Sequence, residues 1–149
     1  MADFTYRITK QFPHLLSSAE RRELSRLTAR DRGEMQWQFH EIKSKKDGFC
    51  LVARTETGFL VGWALIFHGS CNFVVNPETG LREDDDSVVW EAHVYVRQAN
   101  RRQGIGTALM RQALRHTRGN VAIHKHNNSS SRFYTSCEKM SKKYRLREI

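Results

Sequence analysis

The segment Val94-Tyr95-Val96-Arg97-Gln98-Ala99-Asn100-Arg101-Arg102-Gln103-Gly104-Ile105-Gly106-Thr107-Ala108-Leu109-Met110 constrains this chain more than any other. An apolar strand runs through a basic, glycine-containing turn into an amphipathic helix. At Gly104 and Gly106 the backbone can pass close to a ligand without interference from a Cβ. Successive N–H groups at such a turn, reinforced by the positive end of the helix dipole, attract anionic oxygens. Arg101 and Arg102 add full charges, so the turn reads as a pyrophosphate cradle. Two common phosphate loops are excluded. The dinucleotide fingerprint needs a third glycine where Leu109 stands, and an acid roughly 20 residues further on, where the chain has His124, Lys125 and His126. The P-loop needs Gly-Lys-Ser/Thr, which is absent.

The 149 residues suit one domain, residues 1–149, better than two. A hydrophobic fraction of 39% with dispersed aromatics fits a folded chain, and no apolar run is long enough to span a bilayer. The first residues, Met1-Ala2-Asp3-Phe4-Thr5, lack a signal pattern. The three cysteines, Cys50, Cys71 and Cys137, have neither paired nor metal-like spacing. Reduced thiols and a cytoplasmic location are the expectation. A net charge of +9 suits nucleic acid, an acidic protein surface or a polyanionic small molecule, and also a merely solvated face. The basic residues are spread along the chain, densest at Lys139, Lys142, Lys143, Arg145 and Arg147. The run Glu83-Asp84-Asp85-Asp86 reads as an exposed loop.

Along the chain, Phe4 to Thr9 alternates as a first strand, and Pro13 opens a helical pattern through Leu15, Leu16, Leu24 and Leu27, with Ser17 or Ser18 as cap and Gly33 as stop. Glu34 to Lys46 reads as a short helix or an extended segment. Phe49 to Arg54 and Phe59 to Phe67 form a hairpin about Glu56-Thr57-Gly58. Asn76-Pro77-Glu78-Thr79-Gly80 is turn chemistry, followed by a loop and then by a strand from Val88. Helical periodicity returns at Ile105, Leu109, Ala113 and Leu114 and ends near Gly119. A strand Val121-Ala122-Ile123, a polar Asn127-Asn128-Ser129-Ser130-Ser131 cap, a short helix and a basic final strand complete an α/β order.

Arg101, Gly104 and Gly106 in Arg-x-x-Gly-x-Gly spacing resemble the acetyl-CoA-binding signature of the GNAT superfamily of N-acetyltransferases. Asn127 through Tyr134, Asn-x-x-x-x-x-Phe-Tyr, is similar to the segment that follows the fifth strand in that superfamily. The order of elements is also the family's. Cys137-Glu138-Lys139-Met140 departs from the Gly-Phe pair with which many members continue. The resemblance implies a single-domain GNAT-like α/β fold, a mixed central sheet flanked by helices, with splayed fourth and fifth strands. It implies acetyl-CoA as cosubstrate, with Val94, Tyr95 and Val96 meeting pantetheine through main chain. Arg101, Arg102, Gln103, Gly104, Ile105, Gly106 and Thr107 would surround the pyrophosphate, with Asn127 also toward the cofactor. A backbone N–H near Val94 would receive the oxyanion, and Tyr134 would protonate the departing thiolate.

Acyl transfer to a Lys-like amine, with a pKa near ~10.4, requires removal of a proton at neutral pH. Glu91 on the strand before the cradle could accept it directly or through water. His93, two residues on and on the same face, could do so as well. A β-bulge in that strand, common in the family, would change which side chains face the cleft. Both candidates stay open, with Glu91 slightly preferred. His93, His124 and His126 could assemble a zinc site in principle, but no supporting ligand spacing exists, so no metal is expected. Cys137 is read as packing rather than as a nucleophile.

The acceptor is expected to be an amine on a small molecule, a protein or an aminoacyl-RNA. Its recognition would fall to segments such as Gln36, Trp37, Phe39 and Cys71 to Asp86. No membrane partner is expected, and a homodimer is left open. The competing class is a non-catalytic binding module that keeps the fold and holds nucleic acid or protein on its basic surface.

Overall fold

The computed structural model describes residues 5–28, 42–68, 73–75, 78–84, 90–118, 120–123 and 145–148. Chain order is β1 (Tyr6–Gln11), a 3-10 turn (Pro13–Leu15), α1 (Ser18–Thr28), β2 (Gly48–Thr55), β3 (Leu60–His68), β4 (Phe73–Val75) and β5 (Arg82–Asp84). There follow β6 (Trp90–Val96), a 3-10 turn (Gln98–Asn100), α2 (Ile105–Thr117), β7 (Asn120–Ile123) and β8 (Arg145–Glu148).

The main sheet has the order β1-β2-β3-β6-β7-β8. Its first four strands are antiparallel, whereas β6–β7 and β7–β8 are parallel, so the sheet is mixed as expected. β2 and β3 are apolar on both faces because both faces are covered. On one face Phe49, Leu51, Ala53, Ala64, Ile66 and Ala92 pack beneath Ile105, Leu109, Met110, Ala113 and Leu114 of α2. On the other, Cys50, Val52, Trp63 and Leu65 pack with Leu24 of α1 and with Ile42.

The start of α1 is decided locally. Ser17 Oγ accepts the Glu20 N–H at 3.1 Å, and Glu20 Oε1 accepts the Ser17 N–H at 3.3 Å, a reciprocal capping box. The helical pattern expected from Pro13 is therefore broken in two, with Leu16 extended between the pieces. The first strand also lies later than expected, because its pairing with β2 runs from Tyr6↔Thr55 to Gln11↔Cys50. Of the Glu34 to Lys46 segment, the described tail is irregular and then turns into β2, and the remainder lies outside the described residues.

One expectation is corrected. The residues after Gly80 are expected as loop, yet β4 and β5 pair as a separate two-stranded ribbon from Phe73↔Asp84 to Val75↔Arg82. Glu83 and Asp84 thus lie in a strand, stabilised by a partner that local composition does not reveal. A bulge in the strand that carries Glu91 would change which side chains share its faces. β6 instead pairs with β3 in unbroken register from His68↔Trp90 to Gly62↔Val96, and the irregularity lies in β2, between Ala53 and Arg54.

The described β6–β7 ladder comprises Trp90↔Val121 and Glu91↔Ala122, while β6 continues to Val96. These are the fourth and fifth strands of the main sheet, and their described pairing lies at the end of β6 away from the Gly104 turn. Gly62 brings α2 down beside β6. A Cβ there would lie 2.9 Å from the Tyr95 carbonyl oxygen and 3.2 Å from Ile105 Cγ2, so only glycine permits this approach of helix to sheet.

Candidate active site

The cradle begins where β6 ends. Arg97 fixes its base: the Arg97 N–H donates to the Val61 carbonyl at 2.9 Å, and Nε donates to the Leu60 carbonyl at 3.0 Å. The guanidinium lies 4.4 Å from the Phe59 ring centroid. In the following 3-10 turn the Asn100 N–H donates to the Arg97 carbonyl at 2.8 Å, and Arg101 Nε reaches back to the Val96 carbonyl at 3.1 Å. Strand end and loop are thereby tied together.

Arg101, Arg102, Gln103 and Gly104 are exposed, and fully buried Ile105 anchors the helix that follows. Arg102 and Gly104 both adopt positive φ, 67° and 80°. A Cβ on Gly104 would meet nothing within 4 Å, so the space above this residue is open. No side chain caps α2. Its ladder starts with the Ala108 N–H donating to the Gly104 carbonyl at 3.0 Å. The N–H groups of Ile105, Gly106 and Thr107 precede that first bond and have no carbonyl within the helix to pair with. Left-handed Gly104 followed by helical Ile105 turns successive N–H groups toward one concavity. The local result is an exposed basic turn with backbone donors at the start of α2.

Glu91 and His93 point from β6 to the face opposite α2, side by side as the two-residue period requires. His93 Nε2 and Glu91 Oε1 are 3.0 Å apart, and the residues are only 7% and 4% exposed. Phe67, diagonal to His93 across the β3–β6 ladder, stacks on the imidazole with centroids 5.5 Å apart and planes 9° from parallel. The two candidates offered as alternatives are thus one hydrogen-bonded pair. With the carboxylate ionised, the imidazole N–H donates to it, which fixes the ring's tautomer and orientation.

The structure therefore brings together Glu91 and His93 on one side of β6, and Val94, Tyr95 and Val96 with the Arg101–Thr107 cradle at its end. Asn127 and Tyr134 lie outside the described residues, as do His124, His126 and Cys137. Among the described residues no cluster of three or more His, Cys, Asp or Glu forms a metal-binding group. Cys50 is a free, fully buried thiol, and burial pushes it up to about 12. Sequence reasoning missed Gly62, Phe67 and Arg97. An isolated glycine within an apolar strand was a usable signal for the first. The other two depend on register and on loop geometry, which leave no local pattern.

A central strand opening into a glycine turn and an uncapped helix, within a mixed sheet covered on both faces, defines an α/β class. The sequence profile of the Acetyltransferase (GNAT) family matches residues 12–138, and the chain belongs to that family. A search of curated proteins by sequence gives no significant match.

Among solved structures, the ribosomal-protein-alanine N-acetyltransferase from Brucella melitensis is similar at 18% identity and a TM-score of 0.55, covering 89% of this chain and 90% of that one. The xEco2 acetyltransferase domain bound to a CoA conjugate is similar at 13% identity and a TM-score of 0.61, covering 88% and 86%. The aminoglycoside N-acetyltransferase AAC(6')-Iy in complex with CoA shows 14% identity and a TM-score of 0.56, covering 93% and 88%. These likenesses establish the fold. No helix among the described residues is long and apolar enough to cross a membrane.

Proposed function

We propose that this chain is an acetyl-CoA-dependent N-acetyltransferase that passes the acetyl group to a primary amine by direct attack, without a covalent enzyme intermediate. The observation that carries the reading is the open N-terminus of α2. A pyrophosphate needs approachable backbone donors, positive charge and free space. Exposed Arg101–Gly104, the uncapped helix and the empty volume at Gly104 supply all three. Ile105, Gly106 and Thr107 would hold the phosphoryl oxygens through main chain, and Val94, Tyr95 and Val96 would line the pantetheine arm.

Acetyl-CoA, when bound, supplies an activated thioester carbonyl. The Glu91–His93 pair serves as the proton acceptor. The imidazole takes the amine's proton directly or through one water, and the carboxylate at 3.0 Å stabilises the imidazolium that results. Burial of both groups strengthens that stabilisation relative to water. A backbone N–H near Val94 receives the developing oxyanion, and Tyr134 returns a proton to the thiolate; these two roles rest on the family resemblance. The similar structures named for acetylation of ribosomal-protein alanine and of aminoglycosides support an amine acceptor. A cytoplasmic location agrees with the free thiol of Cys50.

The test is incubation with acetyl-CoA and a panel of amines, peptides and RNAs, with free thiol release as the signal. Acceptor-dependent release that collapses in His93→Gln supports the reading. Absence of CoA binding by calorimetry overturns it.

A further inference from the structure

α2 is 13 residues long, about 20 Å, and the cradle takes only its N-terminal end. At the other end, on the α2 face of the sheet, cations and rings alternate. Lys10 Nζ lies 4.6 Å from the Phe49 ring centroid and 5.5 Å from that of Phe12, and Lys45 Nζ lies 5.1 Å from Phe12. His116 meets Phe49 edge-on at 5.5 Å, Trp90 meets the same ring at 5.8 Å, and exposed His68 packs on half-buried Trp90 at 4.2 Å.

Lys10, Lys45 and His116 are exposed, and no described carboxylate pairs with any of them. Lys10 and Lys45 are held by ring faces, which fix a cation without neutralising it. Asp47, a described acid at this rim, is engaged locally: its Oδ2 accepts the Lys43 and Ser44 N–H groups at 3.2 and 3.1 Å and the Ser44 hydroxyl at 3.1 Å. The crowding is felt at His116, where burial and then the neighbouring Lys10 charge hold the imidazole below its ordinary range. Arg115 also complements the negative end of α2, but Lys10 and Lys45 come from other segments and have no such role.

We propose that this surface, formed by Lys10, Lys45, His68, Trp90 and His116, docks a single-stranded nucleic acid. Lys10 and Lys45 meet its phosphates, and the His68–Trp90 pair offers a ring surface to its bases. Fixed cations with no ion-pair partner among the described residues, interleaved with aromatic side chains, are what a phosphodiester backbone with unstacked bases requires. The site lies a helix length from the cradle and is independent of CoA binding.

The experiment is fluorescence anisotropy of a labelled oligouridylate over a salt series, using the full chain. Wild type is expected to bind with a steep salt slope. Lys10→Gln/Lys45→Gln should weaken binding about tenfold and reduce the slope by about 1.4, the contribution of two phosphate contacts on a single strand. Its thermal midpoint and its CoA affinity should match wild type. Arg22→Gln/Arg26→Gln removes the same charge from exposed positions of α1, on the opposite face, and should leave binding unchanged. An equal loss in the two double variants overturns the proposal, because net charge alone would then explain binding. Equal competition by polyglutamate and by oligouridylate overturns it in favour of an acidic protein partner. Absence of oligonucleotide binding by wild type overturns it outright.

Discussion

Replacing Gly62 with alanine tests whether the sheet sets the height of the cradle helix. The added Cβ would lie 2.9 Å from the Tyr95 carbonyl oxygen, 3.2 Å from Ile105 Cγ2 and 3.4 Å from Leu109 Cδ1. The carbonyl belongs to β6, whose register with β3 is unbroken, so it yields little. Relief must come from Ile105 and Leu109, in the first two turns of α2, which lifts the cradle away from the strand. Overpacking of this kind costs about 1–3 kcal/mol. Exchanging glycine for alanine recovers about 0.4–1 kcal/mol through the unfolded chain. The clash wins, leaving a net loss of about 1–2 kcal/mol, or a fall in Tm of roughly 2–8 °C for a chain of this size. Scanning fluorimetry reads the Tm, and calorimetry with CoA reads the cradle, where affinity should drop several-fold. A variant that melts at or above wild type and binds CoA equally well would refute the reasoning.

His93→Gln should lower kcat by about a hundred- to ten-thousand-fold with CoA affinity unchanged, and Glu91→Gln should lower it less. The reverse order, measured by thiol release, would make Glu91 the base. Hydrogen bonds from Ser44 and from the Lys43 backbone hold the Asp47 carboxyl below its ordinary 3.8. An acid depressed by folding stabilises the fold above its unfolded pKa, and that stabilisation is lost as pH falls through the folded value. The Tm difference between wild type and Asp47→Asn should therefore be open at neutral pH and close in acid, as a thermal series at stepped pH would show. Cys50, fully buried with its thiol raised to about 12, should resist iodoacetamide in the native chain and react after denaturation, read by peptide mass mapping.

What could be read from the residues was local chemistry. Gly58, at φ +86°, closes the β2–β3 hairpin with its N–H donating to the Thr55 carbonyl at 2.9 Å, where Glu56-Thr57-Gly58 predicted a turn. α2 starts at Ile105, directly after Gly104 as the turn chemistry predicted, and it ends at Thr117 with Arg118 in the left-handed region. The pairing of β4 with β5, the position of the bulge and the stacking of Phe67 on His93 were not legible. Each is set by a partner distant in sequence. The Glu91–His93 contact lay between the two cases: the two-residue period placed both side chains on one face, but only an unbroken β6 brings them to 3.0 Å.

The central claim is that backbone donors at the start of α2 hold the phosphoryl groups of CoA. Calorimetric titration of CoA into wild type and into Gly104→Val measures this most directly. A branched side chain at φ +80° is strained by about 1–2 kcal/mol, and it places methyl groups in the space that is now open. Saturable binding by wild type that weakens at least tenfold in the variant is the predicted result. Equal affinity in both, or no heat from wild type at millimolar CoA, would contradict it.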